Sequence, residues 1–385
     1  MGALADIVRR AGAAYVQAHA GGLLPSQRRA LTDIADCRTA AMGGTVVRCD
    51  TCGATQYHYH SCRNRHCPTC QEERAQDWLA RTQARLLPCD HYLLTFTLPS
   101  ELRAVAQRHH RVVYAALLRE AAAAVQTLAA DRQWVGGSVG ILAVLHTWSR
   151  TLEYHPHAHL LVTAGGLAPD GAAWVKPAHA RFLMPGYALS LVFRAKMRAA
   201  LARAGLLAEI HPRVWRRRWT IHVQPIGSGQ HATLYLSRYI YRVALTDQRI
   251  ERVAEGQVTF RYTHARTGET RRVTLSVDRF LDRFLAHVLP RGFPKVRSYG
   301  LLSPGRRPAL DRARQILVAH ATPVPALPVP ASPAASTPVS LANLSPLVLA
   351  MAVLTLALRC PICERGQRVV RPYPRAERHA PRAPP

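Results

Sequence analysis

The 385-residue chain carries 51 Lys+Arg against 23 Asp+Glu, a formal net charge of +28. Such a field favours a polyanionic partner bound in a salt-dependent way, and the basic residues are mostly arginine, the better phosphate fork. Neither secretion nor membrane residence is expected: Met1 to Ala20 lacks the apolar core of a signal peptide, and the only long apolar run, Pro346 to Leu358, is shorter than the ~18–20 residues that span a bilayer.

Length suggests two or three domains. Leu4 to Ala20 reads as a helix within an N-terminal segment, residues 1–30. Residues 31–90 hold seven of the nine cysteines and few apolar runs, as in a small metal-stapled module. Within it Cys49-x-x-Cys52 and Cys67-x-x-Cys70 are separated by 14 residues. Two such knuckles supply four thiolates for a tetrahedral Zn²⁺ with zinc-ribbon-like spacing. A closed four-thiolate site has no place for water, so this zinc would serve folding. Cys37 and Cys62 offer a second pair, and Arg63, Arg65 and Arg74 could meet phosphates. Cysteines used this way point to a reducing cytoplasm rather than to disulfides.

His91 to Pro99 is the first strong strand. Ser100 is placed to N-cap a helix running to about Ala130, with Glu101 in its first turn. Gly136-Gly137 breaks the pattern. Strands follow at Val139–Trp148 and His157–Ala164, then a helix near Ala188–Leu207, a strand at Thr220–Ile226 and a helix at His231–Leu245. The order β-α-β-β-α-β-α predicts an α+β fold, a mainly antiparallel sheet with packed helices. Val258–Tyr262 and Arg272–Ser276 read as a hairpin, and Asp278–Leu289 as an amphipathic helix. These elements make up a domain at 91–310. From Thr322 the chain is Pro/Ala-rich, so 311–385 reads as a basic, partly disordered tail. Cys360-x-x-Cys363 within it is half a metal site.

Glu153-Tyr154-His155-Pro156-His157-Ala158-His159-Leu160-Leu161-Val162 carries the main chemical signal. Side chains alternate along a strand, so His155, His157 and His159 share one face while Ala158, Leu160 and Val162 point into a core. If strands 139–148 and 157–164 pair around a turn near Leu152-Glu153, facing residues sum to about 305. His146 then lies opposite His159 and is the preferred third ligand, ahead of His155 and Glu153. Two or three imidazoles leave coordination positions open for a phosphate oxygen and water. Imidazole favours Mn²⁺, Co²⁺, Ni²⁺ or Zn²⁺ over Mg²⁺, although Mg²⁺ is the more abundant in cells.

Tyr235 and Tyr239 stand four residues apart on an expected helix, with Arg238 and Arg242 close to their face. A phenol of pKa near 10 is only about one part in a thousand ionised at pH 7. A cation polarising a phosphodiester offsets that deficit. Attack by tyrosine conserves the phosphodiester as phosphotyrosine, and two tyrosines can hold two strands. Arg213-Val214-Trp215-Arg216-Arg217-Arg218-Trp219 interleaves arginine with indole, a pattern for single-stranded DNA: Arg213, Arg216, Arg217 and Arg218 for phosphates, Trp215 for stacking.

These residues together resemble the two-tyrosine HUH transposases of rolling-circle insertion sequences of the ninety-one type, over about residues 30–310. Ser61 to Cys70 is similar to that family's N-terminal zinc-binding domain, and Thr95-Phe96-Thr97-Leu98-Pro99 to its first motif. His157-Ala158-His159 matches its His-hydrophobic-His motif and Tyr235-x-x-x-Tyr239 its nucleophile motif. The resemblance implies an HUH endonuclease-like fold and a metal-dependent single-strand DNA endonuclease that forms 5′-phosphotyrosine links. Tyr235 and Tyr239 would be nucleophiles, with Mg²⁺ or Mn²⁺ on His157 and His159. It would act on single-stranded element ends and target in the bacterial cytoplasm, at the nucleoid. Three other readings stay open: a plasmid or phage replication initiator or relaxase, a non-enzymatic zinc-ribbon nucleic-acid-binding regulator, and a His-metal hydrolase in which water attacks.

Overall fold

The computed structural model describes residues 2–179, 182–228, 244–264, 267–319 and 359–375. In chain order its main elements are α1 (Ala3–Ala18), α2 (Pro25–Asp36), β1 (Gly44–Cys49), β2 (Thr55–Tyr59), α3 (Pro68–Gln83), β3 (Asp90–Thr97), α4 (Arg103–Arg108) and α5 (His110–Ala129). Next come β4 (Gly140–Trp148), β5 (Tyr154–Thr163), the short β6 (Gly166–Leu167) and β7 (Trp174–Val175), α6 (Gly186–Arg203) and β8 (Ile221–Ser228). The last are β9 (Ile250–Ala254), β10 (Gln257–Thr263), β11 (Thr270–Ser276), α7 (Val277–Leu285), β12 (Val296–Gly300), α8 (Arg307–Ala319) and β13 (Arg368–Tyr373). The expected helix at 231–245 falls largely outside the described residues.

The chain divides into two units. One takes Met1–Ala35 and Arg63–Ala321, the other Asp36–Cys62 and Thr322–Pro385. This redraws the boundaries expected at 30, 90 and 310. The physical reason lies in the small unit's sheet: β1 pairs antiparallel with β2 on one side and with the far C-terminal β13 on the other. Helix α8 (307–319) runs into the expected tail at 311–385, and strand β13 (368–373) lies within it.

The large unit is built on a five-stranded sheet of order β12-β4-β5-β3-β8, every neighbouring pair antiparallel. The α+β expectation is therefore met. One sheet face carries the core. Tyr92, Leu94 and Phe96 of β3, Ile141, Ala143 and Leu145 of β4, and Ala158, Leu160 and Val162 of β5 pack with α5 and α6. Burying this apolar set outweighs local propensity and fixes which face each strand presents. His110–Ala129 is long and apolar enough to cross a membrane, but it is the central helix of this core. At one end of the opposite face, Leu142, Val144 and Leu161 pack with Leu310, Ala313 and Ile316 of α8.

The long helix expected from Ser100 is broken. Ser100–Leu102 is a 3-10 turn, and α4 and α5 are separated at His109, whose backbone leaves helical geometry (φ −117°, ψ 47°). The Ser100 hydroxyl donates to the Glu101 carboxylate instead of capping a helix. The turn at Gly136-Gly137 is present, with Gly136 at φ +74°. The hairpin expected at 258–276 forms with Val258 opposite Leu275, and β9 adds a third strand to it.

Candidate metal centre and nucleic-acid interface

The site grows out of the β4–β5 hairpin. Tyr154, Pro156 and Ala158 alternate with His155, His157 and His159, and burial of Ala158 at 0 % exposure fixes the alternation. On β4, Leu145 goes to the core, so its neighbour His146 takes the histidine face. Pairing places His146 opposite His157 and Val144 opposite His159. The expected partner of His146 was His159. A shift of two residues leaves every side chain on its face, so the triad survives this correction. The shift is absorbed in a tight turn, with Leu152 at φ +61° and an irregularity between His146 and Trp148.

His146, His157 and His159 each offer a ring nitrogen, all within 4.8 Å of one another. His146 and His159 are buried and His157 is half-buried. Outer contacts hold two of the rings in place. The Nδ1 of His157 lies 2.6 Å from the His155 carbonyl oxygen, and Nδ1 of His159 lies 3.0 Å from the Thr95 hydroxyl. Each Nδ1 is thereby engaged, the outer contact usual for a metal-binding imidazole. Burial lowers the pKa of His157 to about 4. Burial, then the His157 and Lys295 charges, lowers that of His159 to about 3. Both rings are neutral at pH 7, as coordination requires. Three imidazole nitrogens this close together fit a divalent cation.

Neighbouring groups add to this picture. The Lys295 ammonium sits 4.8 Å from the centroid of the Trp148 ring, which stacks on His146 at 4.7 Å. Burial, then the Arg65 charge, lowers the Lys295 pKa to about 7. His155, the second choice for third ligand, turns aside to Arg103, 2.9 Å from its guanidinium. Glu153, the third choice, is exposed and 3.9 Å from Arg283. His222 on β8 lies opposite Thr95, on the same sheet face as His159. Sequence reasoning assigned no role to Thr95, His222 or Lys295 at this site. Thr95 was findable, because Phe96 in the core forces its neighbour onto the histidine face. Lys295 was not, since β12 joins β4 only through long-range pairing.

Tyr235, Tyr239, Arg238 and Arg242 lie outside the described residues. Arg213, Arg216, Arg217 and Arg218 are exposed around a 3-10 turn at Pro212–Trp215. Arg217 pairs with Glu101, and Arg218 lies 5.4 Å from the ring centroid of exposed Tyr187. Trp215 is half-buried against the core, while Trp219 is 1 % exposed, its indole N–H donating to the Val214 carbonyl. Arg65 does not wait for phosphate: it donates to the carbonyls of Phe293 and Pro290 at 2.5 and 2.8 Å.

The cysteines sort differently from the expectation. Cys49 and Cys52 were grouped with Cys67 and Cys70. In the small unit they meet Cys360 and Cys363 instead, the four sulfurs within 4.8 Å of one another. Spacing along the chain suggested the nearer knuckle, but the β1–β13 pairing brings the distant one. Cys62 N–H approaches Cys37 Sγ at 3.5 Å in the same unit. In the large unit, Cys67 precedes α3 and Cys70 lies in its first turn, both buried.

Two families match the chain. One described as "Transposase zinc-binding domain" covers residues 7–98, and one described as "Putative transposase" covers 140–309. "Putative transposase y4qJ" of Sinorhizobium fredii is 38 % identical over 337 residues, 82 % of this chain and 84 % of that protein. "Transposase for insertion sequence element IS801" of Pseudomonas savastanoi pv. phaseolicola is 30 % identical over 302 residues, 74 % of this chain and 72 % of that one.

Proposed function

The chain belongs to the transposase family of insertion sequences of the ninety-one type, with its zinc-binding domain, and from that membership we propose that it nicks and rejoins single-stranded DNA through 5′-phosphotyrosine intermediates during rolling-circle transposition. The observation that carries the reading is the cluster of three imidazoles on one sheet face, two of them, His157 and His159, kept neutral by burial.

His146, His157 and His159 would hold Mg²⁺ or Mn²⁺, which supplies Lewis-acid polarisation of the scissile phosphate. Thr95 and the His155 carbonyl keep the rings of His159 and His157 aimed. The phenol oxygen of Tyr235 or Tyr239 attacks phosphorus. A Tyr–O–P bond forms, the P–O3′ bond breaks, and the departing 3′ oxygen takes up a proton to leave a 3′-hydroxyl. Rejoining reverses these steps with a new 3′-hydroxyl and needs no ATP, because the phosphodiester energy is kept in the protein link. The exposed arginines at 213–218 would run along the backbone of the strand. The enzyme would work in the cytoplasm, at the nucleoid.

Incubation of the full-length protein with single-stranded element ends and Mn²⁺, followed by a denaturing gel, tests the proposal. A covalent protein–DNA adduct is expected, weakened by Tyr235→Phe or Tyr239→Phe and abolished by both. An unchanged adduct in the double variant would defeat the nucleophile assignment. Nicking with no adduct in the wild type would favour attack by water.

A further inference from the structure

Cys360-x-x-Cys363 has no part in the reaction above, yet it sits in a cluster of four thiols in the small unit. We propose that Cys49, Cys52, Cys360 and Cys363 form one structural zinc site that fastens the C-terminal segment onto the N-terminal strand β1. The proposal is independent of the catalytic reading.

The sulfur geometry is the first argument. Cys49 Sγ lies 3.7 Å from Cys363 Sγ, and Cys52 Sγ lies 3.8 Å from Cys360 Sγ. Four thiolates at about 2.3 Å from a tetrahedral centre stand about 3.8 Å apart. The four are free cysteines, two of them buried.

The two knuckles are also folded as ligand loops. Cys52 N–H donates to Cys49 Sγ, Ile362 N–H to Cys360 Sγ and Gly366 N–H to Cys363 Sγ, each at 3.4 Å. Such donors stabilise thiolate charge and aim the sulfurs, as an outer shell does around a metal. Each loop turns back on itself through a positive φ after its second cysteine, at Gly53 (+69°) and Glu364 (+56°).

The third argument is the fit between the knuckles. A Cβ on Gly366 would lie 2.3 Å from Cys49 Sγ, 2.7 Å from Thr51 Oγ1 and 2.8 Å from Asp50 Oδ1. Only glycine lets the second knuckle seat this closely on the first. Asp50 N–H donates to the Gln367 carbonyl, and Gln367 N–H donates to the Asp50 carboxylate. From there β13 runs along all of β1, Arg368 opposite Cys49 through Tyr373 opposite Gly44. A site of this kind closes the chain on itself, since Cys52 and Cys360 are 308 residues apart.

Elemental analysis of the full-length protein, purified without chelator, tests this. Cys360→Ser with Cys363→Ser, and separately Cys49→Ser with Cys52→Ser, should each lose about one zinc per chain. The fourfold variant should lose no more than either pair, because both pairs serve one ion. Wild-type zinc content in the Cys360/Cys363 variant, or a loss of two in the fourfold variant, would overturn the site. Thiol alkylation read by mass spectrometry on the unaltered protein removes any dependence on variant folding. All four cysteines should be protected with zinc bound and become reactive together when a chelator is added. Ready alkylation of Cys360 and Cys363 in the zinc-loaded protein contradicts the proposal. So does protection that resists chelator and yields only to a reductant, which would mean disulfides.

Discussion

The histidine face and the cysteine knuckles gather ligands in opposite ways. His146, His157 and His159 come from one hairpin, and their meeting follows from strand alternation and one turn. Cys49 and Cys52 meet partners more than 300 residues away, and their meeting follows from a strand pairing that no local pattern announces. The first arrangement is rigid because both strands lie at the heart of the five-stranded sheet. The second rests on a three-stranded sheet with little buried apolar surface, in which a metal would supply what the core cannot. Chemistry that must hold atoms in place sits on the packed sheet; metal that serves folding sits where packing is thin.

This contrast predicts a graded set of effects. The largest belongs to the imidazoles. His157→Ala with His159→Ala should lower metal-dependent nicking by at least about 100-fold while single-strand binding in a gel-shift assay persists. Loss of binding in parallel would mean that the sheet, not the metal, has failed. Thr95→Val keeps the shape of β3 and removes only the hydroxyl at His159 Nδ1. It should weaken Mn²⁺ affinity or activity by about 10–100-fold, an effect recoverable at high Mn²⁺.

The arginine loop should respond more gently and with a different signature. Alanine at Arg213, Arg216 and Arg218 should lower affinity for all single-stranded sequences alike. The slope of log K against log salt should shrink by about 0.7 per lost phosphate contact. Arg217 should contribute less, being paired with Glu101. Trp219→Ala belongs to the other category: a buried indole, whose loss costs about 3–5 kcal/mol of stability.

A further effect is expected on the pH dependence of stability. Burial lowers the folded-state pKa of His157 and His287 to about 4 and of His159 and His66 to about 3. In the unfolded chain histidine titrates near about 6.5. The unfolded state therefore binds more protons below that pH, and stability present above about 6.5 is lost as pH falls toward 4 and then 3. Thermal melts of chelator-treated protein between pH 7.5 and 5 should show this decline. The slope should be shallower in the His157→Ala/His159→Ala variant.

Much of this was legible in the sequence, and the residues show why. Ala158, Leu160 and Val162 marked the core face of β5, so the histidine face followed from it. The hairpin register came out two residues off because the turn at Leu152 adopts a positive φ that spacing does not reveal, yet a two-residue shift preserves the face. The break in the helix after Ser100 is not legible, because helical propensity runs unbroken through His109, where the backbone turns. The cysteine partners are not legible, because the β1–β13 pairing brings together knuckles far apart in the chain. The interleaved tryptophans split, since Trp219 fills the gap beside Phe193 while the flanking arginines stay in solvent.

Electron paramagnetic resonance of Mn²⁺ added to the zinc-loaded, full-length protein tests the central claim most directly. The account predicts bound Mn²⁺ with nitrogen couplings from imidazole, lost in His157→Ala/His159→Ala together with Mn²⁺-dependent adduct formation. A bound ion without nitrogen coupling, in a protein that still forms the adduct, would contradict it.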